Sequence, residues 1–191
     1  MSSFNNVKHI VVVGDGQVGK TSLLFAYTDG SFKETYQATI FEKEEIELTV
    51  DNILYYVKLY DTAGQEDFDK IRQTFYKRAD AFLLCYSIPE RTSFDNIELK
   101  WIPELRRSQP NIPIVLVGTK EDMKTPHAVT TKEGEALRKR INANIFIESS
   151  AKTHKNVQLV IHEAVRASVV GVTNNYAADE ENSESCSCWC W

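Results

Sequence analysis

The sequence has 191 residues and a mass of 21.8 kDa, with 42% hydrophobic and 26% charged residues. That suits one globular domain with a real core and excludes collagen-like, coiled-coil and wholly disordered chains. Against 27 Asp and Glu stand 22 Lys and Arg, and a net charge of −5 offers no broad basic field for nucleic acid. Of four cysteines, Cys85 lies in the body, while Cys186, Cys188 and Cys190 crowd the last six residues beside Trp189 and Trp191. A secreted disulfide framework spreads its cysteines through the fold, so this distribution points to a reducing compartment and a chemically special tail.

In chain order, residues 1–6 carry no basic region followed by an apolar stretch, so no secretory signal is expected. Apolar runs such as 10–13 and 114–117 are far too short to span a bilayer. They are β-branched and bounded by turn residues, the pattern of strands covered on both faces. Strands are expected at 8–13, 42–50, 53–61, 81–87, 114–119 and 145–148, and helices at 21–27, 68–77, 93–109, 132–141 and 157–170. The alternation predicts an α/β fold, a six-stranded mostly parallel sheet flanked by five helices. Asp51-Asn52 between the second and third strands suggests a hairpin, and hence one antiparallel edge pair. Residues 1–170 are read as one domain and 171–191 as an acidic flexible tail. From Ala167 onward there is no Lys or Arg, and Asp179, Glu180, Glu181 and Glu184 carry most of the net charge.

The first strand runs into Gly14-Asp15-Gly16-Gln17-Val18-Gly19-Lys20-Thr21, a match to G-x-x-x-x-G-K-[ST]. Glycines let the backbone turn tightly and bring its N–H groups onto phosphate oxygens, and the next helix presents its positive end to the same anion. In such a P-loop NTPase, Lys20 reaches the β- and γ-phosphates and the Thr21 hydroxyl ligates Mg²⁺. The loop alone also fits an adenylate-type kinase or an ATPase. The choice of base falls to Thr119-Lys120-Glu121-Asp122, where the fifth strand's carboxyl end meets the ligand crevice of an open α/β sheet. A carboxylate at Asp122 can accept both N1–H and the exocyclic amine of guanine, which adenine cannot supply. Lys120 would lay its aliphatic stem along the base. After the sixth strand, Glu148-Ser149-Ser150-Ala151-Lys152 can offer the purine oxygen the Ala151 N–H.

With Thr39 and Asp61-Thr62-Ala63-Gly64-Gln65, these motifs stand in an order that resembles the Ras superfamily of small GTPases over residues 8–168. Gln65-Glu66-Asp67, Thr119 and Lys100-Trp101-Ile102-Pro103-Glu104 resemble its Rho/Rac branch. The resemblance implies GTP as substrate, GDP as product and Mg²⁺ as cofactor, with Thr21, Thr39 and Asp61 toward the metal. It implies that Lys20, Gly64 and Gln65 serve catalysis: the Gly64 N–H toward the γ-phosphate, Gln65 toward the attacking water. Ser22, Phe32, Lys120, Ser150 and Lys152 fall in the nucleotide-binding set, Phe32 against the guanine. Hydrolysis would be slow without an activating protein, and partners would be exchange factors, activating proteins and effectors that read the switch segments 29–42 and 62–78. The chain is expected to act as a monomer, without nucleic acid.

Two departures stand out. Rho-branch proteins resemble one another in a short helical insert between the two base-binding segments, and here residues 123–148 leave no room for it. Glu44 stands where Rac-like members have an aromatic effector contact, and Ala38 where they have proline. Cys188-Trp189-Cys190-Trp191 formally matches C-a-a-X, although Trp is unlike its usual residues. Prenylation and palmitoylation of Cys186, Cys188 or Cys190 both stand as readings, and either would place a cytoplasmic protein peripherally on the plasma membrane or on Golgi or endosomal membranes. Cys85 reads as a buried small hydrophobe, and the four histidines show no ligand spacing.

Overall fold

A computed structural model describes residues 6–32, 41–62, 64 and 69–172. Thr39, Gln65 and the tail cysteines Cys186, Cys188 and Cys190 lie outside these residues. Six strands, β1 Val7–Val13, β2 Phe41–Val50, β3 Ile53–Thr62, β4 Ala81–Ser87, β5 Ile114–Thr119 and β6 Ile145–Glu148, form one sheet in the order β2-β3-β1-β4-β5-β6. Only the β2–β3 pair is antiparallel. Asp51 and Asn52 both take positive φ, 50° and 65°, as a two-residue hairpin of the primed type requires, so the expected edge hairpin forms.

The helices are α1 Lys20–Thr28, α2 Asp69–Tyr76, α3 Arg91–Asn96, α4 Ile102–Ser108, α5 Thr131–Arg140 and α6 Val157–Val170. The expected third helix is therefore present as α3 and α4, joined by a π-helical turn at Ile97–Trp101. Pro103 supplies a local cause. It has no N–H to return to the Leu99 carbonyl, and just before it the Ile102 N–H reaches back five residues to the Ile97 carbonyl.

Both faces of the sheet are covered, which is why β4 and β5 read as unbroken apolar runs. Val12, Leu83, Cys85 and Val117 pack toward Val160, Ile161 and Ala164 of α6. On the other face Val11, Leu84 and Leu116 pack with Trp101, Leu105 and Leu137. The chain leaves β1 for β2 and β3 on one side and returns for β4 on the other, and ligand crevices of α/β sheets open at such a reversal, outside the carboxyl ends of the strands. Between Asp122 and β6 the backbone holds the end of a single 3₁₀ turn, Glu121–Met123, and then α5, so no inserted helix is present. The short connection is stitched instead: Lys124 Nζ donates to Glu148 Oε2 at 2.5 Å and the Thr131 hydroxyl to Glu148 Oε1 at 2.9 Å. Among the described residues no helix is long and apolar enough to cross a membrane.

Candidate functional site

The carboxyl ends of β1, β3, β4 and β5 converge on residues 14–21. Gly14 has φ +140°, and a Cβ there would lie 2.2 Å from the Cys85 carbonyl oxygen, so β4 leaves space for glycine alone. Gly19 closes the loop at φ +100° and α1 begins at Lys20. Lys20 is 6% exposed and its ammonium donates to the carbonyls of Gly14 and Asp15 at 2.8 and 2.6 Å. Burial pushes its pKa below the ordinary lysine range while the Asp61 charge opposes the shift. A cation held this way, at the start of a helix, is ready to receive phosphate oxygens.

Next to it the Thr21 hydroxyl donates to Asp61 Oδ2 at 2.5 Å, and the Asp61 carboxylate is almost wholly buried. A hydroxyl and a carboxylate side by side are hard oxygen donors of the kind Mg²⁺ takes, so the residues present fit that ion. The neighbouring Thr62 hydroxyl bonds the Val12 carbonyl at 2.7 Å and pins the end of β3 to β1. Gly64 then folds onto the loop: a Cβ on it would stand 2.4 Å from Asp15 C and Gly16 N and 2.5 Å from Gly14 O.

From the loop a cleft of about 260 Å³ extends along Gly19, Ser22 and Phe32 to Lys120, Asp122, Ala151 and Lys152. At its far end Ser150 Oγ donates to Asp122 Oδ1 at 2.5 Å and accepts from the Thr153 N–H, so the carboxylate is oriented before any ligand arrives. The Glu121 N–H donates to the Ser149 carbonyl, and the Ser149 N–H to Gly118, which ties the two segments after β5 and β6 together. Lys120 sits at φ 56°, and its Cε lies 3.8 Å from where a Gly19 Cβ would be, so its stem runs back over the P-loop. The Thr119 hydroxyl bonds the Val18 carbonyl, with the Tyr86 carbonyl 2.9 Å away as a second acceptor. P-loop, β4 and β5 thus meet at one side chain.

These arrangements bring together Gly14 to Ser22, Phe32, Asp61, Gly64, Thr119, Lys120, Asp122, Ser150, Ala151 and Lys152. A family model described as the Ras family matches residues 9–169. The chain belongs to this family of small GTPases. Along 161 residues this GTPase is 48% identical to the Ras-like GTP-binding protein RhoL of Drosophila melanogaster, covering 83% of the present chain and 85% of that protein. Ras-family GTPases bind GTP and GDP, typically with Mg²⁺, and generally hydrolyse GTP.

Sequence reading missed what the Asp15 side chain does in this GTPase. Its carboxylate faces away from the cleft, accepting from Asn96 Nδ2 at 2.6 Å and from Trp101 Nε1 at 2.8 Å. Lys100-Trp101-Ile102-Pro103 was legible as a family mark, but not as a contact to the P-loop. His9 Nδ1 lies 2.9 Å from the Tyr60 hydroxyl, a contact between β1 and β3. Cys85 is fully buried, and desolvation raises its thiol to about 12, the inert state of a core cysteine.

Proposed function

We propose that this chain is a GTP-hydrolysing switch of the Rho/Rac branch. The observation that carries the nucleotide reading is the cleft that runs from Gly19 and Ser22, the chain neighbours of the buried P-loop Lys20 and of Thr21, to the Asp122 carboxylate oriented by Ser150, phosphate recognition at one end and guanine recognition at the other. Lys20 would hold the β- and γ-phosphates, and the Ala151 N–H the purine oxygen. Thr21 and Thr39 would hold Mg²⁺ directly and Asp61 through water. When bound, the ion supplies charge neutralisation at the phosphate oxygens. Gln65 would orient a water whose oxygen attacks the γ-phosphorus in line as the bond to the GDP oxygen breaks. Without an internal arginine finger in the sequence, turnover is slow until a partner supplies one. Loss of the γ-phosphate frees Thr39 and Gly64, and the switch segments change what they bind.

Support for the branch comes from Thr119 and from the Trp101 segment seated against the P-loop. Residues 1–170 serve as the GTPase domain, working as a monomer with exchange factors, activating proteins and effectors in signalling to cytoskeleton or membrane traffic. The tail after 170 anchors it peripherally to plasma membrane or endomembranes through lipids on Cys186, Cys188 or Cys190. Glu44 and the missing insert turn away effectors and regulators that require an aromatic residue or a helix at those places.

Phosphate release from GTP, measured alone and with a Rho-type activating protein, tests the reading. Acceleration is expected, and its absence sinks the Rho-branch switch in favour of a module that signals by GTP occupancy. Asp122→Asn tests the base assignment. It should lower GTP affinity at least 10-fold and improve xanthosine triphosphate binding, because the amide keeps one acceptor and gains a donor. An unchanged preference removes Asp122 from that role.

A further inference from the structure

The contacts of Asp15 continue well beyond the cleft. Trp101 is fully buried, and the Arg72 guanidinium of α2 lies over its ring, 5.1 Å from the centroid. Arg72 is itself 1% exposed and its Nε donates to Glu104 Oε1 at 3.3 Å. The same oxygen accepts from the Tyr76 hydroxyl at 2.7 Å. A continuous series of side chains therefore runs from the P-loop through α3 and α4 to both ends of the last turns of α2. A buried guanidinium is costly unless its position is fixed, and a ring face and a carboxylate fix this one.

The π-helical turn makes the series possible. In a regular helix of 3.6 residues per turn, positions five apart point about 140° away from each other, so Asn96 and Trp101 could not both reach one carboxylate. The five-residue reach from Ile102 to Ile97 widens the turn and brings these two side chains onto the two oxygens of Asp15. The stretch after β3 is then attached to the P-loop twice: directly, where Gly64 lies on Asp15 and Gly16, and indirectly, through Arg72 and Trp101.

We infer that Asp15, Trp101 and Arg72 are positioning residues that fasten α2 to the P-loop in series and set how long guanine nucleotide stays bound. The Asp15 carboxylate acts through its own backbone, whose N–H groups and shape form the phosphate cradle, and Arg72 acts through Trp101. The inference rests on the nucleotide reading above. Links in series have a signature that independent packing contacts lack: once one is cut, cutting another changes nothing more.

The test uses the full chain loaded with a fluorescent GDP analogue in Mg²⁺, with release followed after adding excess GDP. Trp101→Phe removes the N–H and keeps a ring, and Arg72→Lys keeps the charge and loses the planar face. Each is expected to speed release about 10-fold, within the usual span of coupling between sites. The double variant should be no faster than the faster single one. Amide exchange in α2 should rise in Trp101→Phe, although the substitution lies on another helix. If Arg72→Lys does not fold, Arg72→Met cuts the same link without leaving a buried charge and is read in the same way. Multiplying effects in the double variant, or unchanged release rates, overturn the inference while leaving GTPase function standing. Failure of the wild-type chain to bind the analogue at all overturns the nucleotide reading and this inference with it.

Discussion

The two ends of the cleft are built differently. At the phosphate end the contacts are main-chain and buried: carbonyls of Gly14 and Asp15 on Lys20, a glycine seated on the Cys85 carbonyl, Gly64 against the loop. At the base end they are made by side chains, the fully buried Ser150 on the exposed Asp122 and the stem of Lys120 over Gly19. In the proposed reading, phosphate binding is a property of backbone shape, inseparable from the core beneath it, whereas base choice rests on a few side chains. Substitutions at the first end should cost structure and affinity together, and those of Asp122 and Lys120 at the second should cost affinity or selectivity alone.

Gly14→Ala tests the difference most severely. A Cβ at 2.2 Å from a buried carbonyl forces β4 or the loop to shift, and the positive φ adds roughly 1–2 kcal/mol of strain. The expected outcome is loss of nucleotide binding together with a clear fall in thermal midpoint; binding retained at normal strength would break the comparison. Lys20→Ala comes next. It deletes a charge-assisted contact of roughly 1.5–3 kcal/mol, so GDP affinity by calorimetry should fall about 10²-fold. Ser150→Ala removes the clamp on Asp122 and the acceptor of the Thr153 N–H. A net hydrogen bond of about 1 kcal/mol for each predicts a GDP affinity some 5-fold weaker with a small fall in melting midpoint, and a fall as large as that of Gly14→Ala would show that the base end is as structural as the phosphate end.

The smallest effect lies away from the cleft, at the start of α5. Hydrogen bonds from Arg91 and then from the Thr130 N–H and hydroxyl hold the Glu133 carboxyl down at about 2. Thr130 and Glu133 form a capping box. A carboxyl whose pKa is lowered on folding adds stability above its ordinary value of 4.5 and loses that contribution as pH falls toward 2. Melting midpoints should therefore decline less in that window for Glu133→Gln than for the wild type, with GDP binding at neutral pH unaffected.

Much of this was readable in advance, for physical reasons that differ along the chain. Gly14, Gly19 and Lys20 are dictated by backbone geometry and a fixed ligand charge, so spacing alone announces them. β4, β5, β6 and α6 have the expected bounds because continuous burial leaves a pattern in the residues themselves. The missing insert could be counted from the length between Met123 and Glu148. The Asp15–Asn96–Trp101 cluster could not be foreseen, since it joins residues some eighty positions apart and depends on a helical turn of irregular width. Nor does any local pattern reveal that Arg72, polar by type, is buried against an indole.

One contact joins the two ends that behave so differently. Through its hydroxyl, Thr119 holds the Val18 carbonyl to the strand that leads into Lys120 and Asp122. Mechanically the phosphate cradle and the purine rim are then a single jaw. A displacement of Val18 is passed through this hydroxyl to the tip of β5, so the two ends of the cleft are coupled.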